Sequence, residues 1–327
     1  LASGTHAISA CLFGLLRPGD ELLSITGLPY DTMQQVIGLV GDNPSSLIKW
    51  GVNYRYLPLK DGKIDVNATI GAIRPETKVV AIQRSRGYSW RPSLSVGEIG
   101  AAIRAIKRAH PQVLVFVDNC YGEFAEEMEP CTVGADLVAG SLIKNPGAGL
   151  APAGGYIVGR SDLVELAADA AVAPAIGMRV GAMFGLTRTM LQGLFLAPHT
   201  VAQAIKGAIL LAKVMEELGY EVTPAWSEPR HDIVQAVRLG SPERLVAFCQ
   251  AVQSAGPVDH YVLPEPGEMP GYKDYIVMAA GTFIQGASIE LSADGPLRDP
   301  YIAYVQGGLT VEHCQIAAEA VVKALTS

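Results

Sequence analysis

Apolar positions along the first 160 residues follow two alternating periods. After Ser3-Gly4-Thr5, the residues Ile8, Cys11, Leu12, Leu15 and Leu16 recur at helical spacing, which predicts a helix with one buried face. Arg17-Pro18-Gly19-Asp20 should end it. Short apolar runs then predict strands at 21–25, 54–59, 79–83, 113–118, 137–141 and 155–158, with helices between them, such as Val96–Ala109. The run Val113-Leu114-Val115-Phe116-Val117 has no polar interruption, as expected of a strand covered on both faces. This alternation is the pattern of an α/β protein, a sheet wrapped by helices.

From about residue 161 to 218 the pattern is mostly helical, with glycine and proline breaks around 174–185 and at Pro198. Beyond Gly219 a smaller α+β unit is expected. It has strands near 233–239, 275–279 and 288–291, a helix at 243–254 and a last helix from about Thr310. The chain thus divides into a large domain, 1–215, and a small one, 216–327.

Composition narrows the function classes. The 327 residues are 49% hydrophobic, enough for a large core. The formal charge of −7, with no Lys/Arg run, argues against nucleic acid as a partner. No apolar run looks long enough to span a bilayer and no signal peptide is visible, so a soluble cytoplasmic protein without a membrane partner is expected. Cys11, Cys120, Cys131, Cys249 and Cys314 are odd in number and lack CxxC spacing, which favours free thiols over disulfides or a metal site. Leu1-Ala2-Ser3 runs straight into the first helix, where a strand would normally feed the turn. We therefore expect an N-terminal segment to be missing from this sequence.

Four local features could carry chemistry. Asp118 ends the apolar run Val115-Phe116-Val117, at the strand end where α/β sheets bind ligands. A buried carboxylate needs a partner; a protonated pyridine nitrogen would serve, and so would a helix cap or a turn hydrogen bond. Lys144 follows the strand at 137–141 and precedes Asn145-Pro146-Gly147. A lysine there is either solvated or reactive, desolvation and Schiff-base chemistry being one explanation. Ser3-Gly4-Thr5 opens a helix and could cradle a phosphate, or could simply be an N-cap, with His6 a hydrogen-bonder at the helix start. Tyr30 follows the strand at 21–25 and could stack on a flat cofactor or cover the core.

In order, these features are a phosphate turn, a stacking aromatic, a ring-nitrogen acid and a Schiff-base lysine. That order resembles fold-type-I enzymes of pyridoxal 5′-phosphate (PLP). The stretches Ser3-Gly4-Thr5-His6-Ala7-Ile8, Gln83-Arg84-Ser85-Arg86-Gly87-Tyr88, Val117-Asp118-Asn119-Cys120-Tyr121-Gly122-Glu123-Phe124 and Ser141-Leu142-Ile143-Lys144-Asn145-Pro146 are similar to the methionine-gamma-lyase-like, aluminium-resistance family. So are Gln192-Gly193-Leu194-Phe195-Leu196-Ala197-Pro198-His199, Gly281-Thr282-Phe283-Ile284-Gln285-Gly286 and Gln306-Gly307-Gly308-Leu309-Thr310.

The resemblance implies an aspartate-aminotransferase-like fold with a mostly parallel central sheet and a smaller C-terminal α+β domain. It implies Lys144 as the Schiff-base lysine, Asp118 on the pyridine nitrogen, Tyr30 on the ring, and Ser3, Gly4, Thr5 and Ser141 at the phosphate. By the same resemblance an arginine receives the α-carboxylate of a small amino-acid substrate. Arg298 is the first candidate, Arg84 and Arg86 the alternatives, and a loop salt bridge to Asp294 or Asp299 is an equally good reading of Arg298. The minimum unit implied is a homodimer, grouped into a homotetramer in some arrangements. The Ser-x-Thr-Lys pattern of the better-known lyases is absent, with Ser141-Leu142-Ile143-Lys144 in its place.

The implied reaction is elimination at the β or γ carbon of a sulfur-containing amino acid. An aminotransferase or aldolase on the same fold, or a non-catalytic protein, fits the local residues too. A nicotinamide dehydrogenase does not, because no Gly-x-Gly-x-x-Gly follows the early strands.

Overall fold

The computed structural model describes residues 1–326. Helix α1, Gly4–Leu15, is capped by Ser3, whose hydroxyl accepts from the His6 N–H at 3.1 Å. Strands β1 (Glu21–Ser24), β2 (Asn53–Tyr56), β3 (Thr77–Gln83), β4 (Leu114–Asp118), β5 (Leu137–Ser141) and β6 (Gly155–Gly159) form one sheet in the order β2-β1-β3-β4-β5-β6. All pairs in it are parallel except β5 with β6.

The unbroken apolar run of β4 is explained by its two covers. Phe116 packs with Leu22, Leu137 and the α1 residues Ile8, Cys11 and Leu12 on one face. Val115 and Val117 pack on the other with Ile99, Ile103 and Ile106 of α4, Val96–Ala109. The α4 boundaries agree with the sequence expectation because local chemistry sets its start. Ser95 Oγ accepts from the Glu98 N–H at 3.1 Å, and Glu98 accepts from the Ser95 N–H at 3.0 Å.

The remaining helices of this half are α2 (Asp31–Ile37), α3 (Val66–Ala72) and α5 (Ser161–Ala171), and α6 follows as Thr187–Glu217. α6 corrects two expectations. Pro198 lies inside it without ending it. It also contains an 18-residue stretch of mean hydropathy 1.4, so by length and composition it could cross a membrane. Its face from Gly193 to Met215 is nevertheless buried against the rest of the chain, as in a core helix.

A second, wholly antiparallel sheet follows in the order β7-β8-β11-β10-β9, from β7 (Glu221–Thr223), β8 (Gln235–Arg238), β9 (Ile276–Ala279), β10 (Ser292–Pro296) and β11 (Ile302–Gln306). Helices α7 (Pro242–Ser254) and α8 (Val311–Thr326) cover one face through Leu245, Phe248, Val252, Ala317 and Val321. The strand expected at 288–291 is a turn. The strand itself is β10, one step later, whose Asp-Gly-Pro looks like a turn in isolation. β7 and β11 were not expected. Pairing of β10 with β9 and β11 on either side overrides the turn chemistry of its sequence.

Candidate active site

The carboxyl ends of β1, β3, β4 and β5 open on one cavity of about 370 Å³. The parallel register puts Gln83 beside Asp118, and Asp118 beside Ala139, so that side chains following these strand ends converge. The sheet order reverses between β1 and β3, and such a switch point leaves a crevice. Ser3, Gly4, Thr5, Tyr30, Asp118, Ser141 and Lys144 all line the cavity.

The α1 N-terminus meets the end of β5 backbone to backbone. A Cβ on Gly4 would lie 2.7 Å from Ser141 Cβ, so only glycine admits this approach. The first N–H groups of α1 and the Ser141 hydroxyl therefore share one corner, the geometry of an anion cradle. His6 stays outside it, its Nδ1 accepting from the Ala2 N–H at 3.3 Å.

Asp118 is 8% exposed, and its Oδ1 accepts from the Cys120 N–H at 3.1 Å. Burial pushes its carboxyl above the usual carboxylate range, and the Lys144 charge opposes that. Burial works against the Lys144 ammonium, while Cys120, Tyr121, Asp118 and Tyr30 around it push its amine upward. Its Nζ stands 4.0 Å from the centroid of the Tyr121 ring. Tyr30 is held by its backbone N–H, which donates to Gln83 Oε1 at 3.1 Å. Burial, then the Asp118 charge, pushes its phenol well above the ordinary tyrosine range, so it stays protonated.

Tyr121 had no sequence signal. It occupies the left-handed region at φ +72°, a conformation that costs about 1–3 kcal/mol outside glycine. Asn145, the residue after the lysine, offsets this by donating its Nδ2 to the carbonyls of Tyr121 at 2.9 Å and Glu123 at 2.8 Å. The turn bearing Lys144 and the loop bearing Tyr121 are thereby one unit. Behind it, burial pushes the Glu123 carboxyl up to about 8 while Tyr156 donates to it at 2.8 Å. Gly193 of α6 packs against this turn so closely that a Cβ there would lie 2.3 Å from the Gly147 carbonyl oxygen.

None of the three candidate arginines lines the cavity, which corrects the sequence expectation. Arg84 is fully buried elsewhere, donating to Glu126 at 2.7 Å, Asn119 at 2.8 Å and the Leu94 carbonyl at 3.3 Å. Arg86 donates to the Thr223 carbonyl at 2.9 Å. Arg298 is half-exposed and pairs with Asp274 at 2.9 Å, not with Asp294 or Asp299. Arg86 and Arg298 border a neighbouring cavity instead. Tyr88, Asp294 and Gln306 do line the first cavity, and sequence reasoning passed over all three as site residues.

The donor set fits pyridoxal phosphate: an anion cradle at a helix N-terminus, a buried acid one strand from a half-buried lysine, and an aromatic ring held nearby. The sequence profile of methionine gamma-lyase matches residues 1–326. The uncharacterized protein YnbB of Bacillus subtilis (strain 168) is 54% identical over 97% of this chain and 76% of its own length. A Listeria innocua structure, named as a candidate cystathionine beta-lyase involved in aluminium resistance, is 52% identical with a TM-score of 0.95, over 98% of this chain and 79% of that one. A carbon-sulfur lyase involved in aluminium resistance from Clostridium novyi NT is 45% identical with a TM-score of 0.94, over 100% of this chain and 77% of that one.

Proposed function

This chain belongs to the methionine gamma-lyase family, and from that premise we propose that it is a PLP-dependent carbon–sulfur lyase removing a β or γ substituent from a sulfur-containing amino acid. The observation that supports this reading is the meeting of Lys144, Asp118 and the α1 N-terminus in one cavity. When bound, the cofactor would supply an electron sink for charge developing at the substrate α carbon.

The chain's own residues have separable tasks in this reading. Gly4 and Thr5, through backbone N–H groups, and Ser141 hold the phosphate. Ser3 spends its hydroxyl on the His6 N–H and fixes the turn rather than the ligand. Asp118 would pair with the ring nitrogen and favour its protonated form, and Tyr30 would cover the ring face. The Lys144 amine would hold the cofactor covalently and would move the substrate α proton. The Tyr30 phenol, kept protonated by its surroundings, gives its proton to the departing sulfur.

The intact protein is accordingly expected to release thiol, ammonia and a 2-keto acid together from a cysteine- or homocysteine-type substrate. Tyr30→Phe should slow thiol release by about a hundredfold, the lower end of general-acid effects, while α-proton exchange measured in D₂O changes far less. Keto acid that forms only when a second keto acid is supplied as amino acceptor would replace the lyase with an aminotransferase.

The same reading includes a second copy of the chain. Met178, Phe184 and Phe195 are 77%, 86% and 83% exposed, close together along the segment that leads into α6 and its first turns. An apolar surface of this kind is costly to leave in water, which supports a homodimer through it. Sedimentation should show a dimer or larger. Phe184→Asp with Phe195→Asp should yield a folded monomer; an unchanged mass would move the interface elsewhere.

A further inference from the structure

We propose that Asp294 forms a subsite for a second ammonium group, at the distal end of the substrate side chain. Three carboxylates line the cavity, Asp31, Asp118 and Asp294, and Lys144 is the one cation among its lining residues. Asp118 is matched to the cofactor ring, and Asp31 begins α2 and is half-buried. Asp294 has no such assignment. It stands on β10 and lines the cavity beside Tyr304 and Gln306 of β11, and no ion pair holds it among the described residues.

Burial pushes the Asp294 carboxyl above the ordinary aspartate value, and two neutral hydrogen-bond donors and the Lys144 charge work against that. The Tyr88 hydroxyl donates to Oδ2 at 2.7 Å, and Gln306 Nε2 donates to Oδ1 at 3.0 Å. Both donors are neutral. Gln306 is itself fixed, since its Nε2 also donates to the Tyr304 carbonyl at 3.0 Å and its Oε1 accepts from the Ser292 hydroxyl at 3.1 Å. Each carboxylate oxygen retains a second lone pair for another donor.

The adjoining wall is aromatic. The Tyr88 ring lies 5.2 Å from that of Tyr304 and 5.6 Å from that of Tyr272, centroid to centroid, and all three rings border the cavity. A carboxylate among tyrosine faces is a cation receptor: ring quadrupoles attract an ammonium while the carboxylate supplies the full charge. An aliphatic or thioether side chain would gain nothing from Asp294 and would keep water from its remaining lone pairs. The cavity therefore selects amino acids whose distal arm carries an ammonium over those ending in an alkyl group.

This subsite rests on reading the cavity as an amino-acid site, but its test requires no elimination. L-Ornithine and L-norleucine are nearly isosteric, and they differ in whether the chain ends in an ammonium or a methyl group. With the PLP-loaded protein, calorimetric titration should give ornithine the lower Kd. Asp294→Asn should reduce the norleucine-to-ornithine Kd ratio by at least about tenfold, with the norleucine Kd itself within about threefold of its original value. Asp294→Glu, which keeps the charge, should retain most of the ratio. Equal weakening of both ligands in Asp294→Asn, or an unchanged ratio, would overturn the subsite and leave Asp294 as a structural acceptor. A loaded protein that binds neither ligand would remove the amino-acid reading and the subsite with it. One that binds both alike would remove only the subsite.

Discussion

Lys144→Ala is expected to abolish the covalent link to the cofactor and to lower turnover by about three orders of magnitude or more, because the same amine anchors the aldehyde and moves the α proton. Borohydride treatment followed by mass spectrometry of peptides reads the first effect. In the parent protein the pyridoxyl mass should sit on Lys144, and in the variant it should be absent. A pyridoxyl group found on any other lysine would disprove the assignment. The variant should still fold. Lys144 is half-buried against a tyrosine ring, and among the described residues it forms no ion pair that its loss would leave broken. Losing it also lets Asp118, already pushed upward by burial, take up a proton and become neutral in place. A melting temperature close to that of the parent would therefore separate lost chemistry from lost structure.

The second large effect is expected at Asp118. Asp118→Ala removes the one acidic group aligned with the strand ends beneath the cavity, and with it the charge that would hold the ring nitrogen protonated. A charge-assisted hydrogen bond is worth about 1.5–3 kcal/mol, which corresponds to roughly 10- to 150-fold in rate. That loss should appear in exchange of the substrate α proton with solvent deuterium. PLP affinity, measured by equilibrium dialysis, should fall as well. Asp118→Glu should hurt less, since it keeps the charge on a longer arm. An Asp118→Ala protein with unchanged exchange rate and affinity would take this role away from the residue.

The two residues behind these predictions were legible by position from local rules, while their roles came only from the family resemblance. Asp118 ends an apolar run that can only be a doubly covered strand, and Lys144 follows the next such run. The start of helix α4 is set locally, because its capping box joins Ser95 to Glu98 three positions on. The substrate side was not legible, and the reason is distance along the chain. The hydrogen bond from Tyr88 to Asp294 joins residues 206 apart in sequence, and no local periodicity records such a pairing. Ser292-Ala293-Asp294-Gly295-Pro296 carries turn residues, and it becomes a strand only because β9 and β11 flank it. The arginines misled for a related reason. Arg84 has the chemistry of a carboxylate receptor, but Glu126, met only in the folded chain, already occupies it.

The cavity is built from two kinds of material, and this bears on how such a protein can change over generations. On the cofactor side Gly4 touches Ser141 and Gly193 touches Gly147 where no side chain fits, so almost any replacement there disturbs the anchor itself. On the opposite wall the contacts are made by side-chain tips, Tyr88, Tyr272, Asp294 and Gln306, which can be exchanged without moving the main chain. Descendants of this sequence are thus free to drift toward new substrates along one wall while the other stays frozen. A laboratory library seeking altered preference has its best return at those four positions.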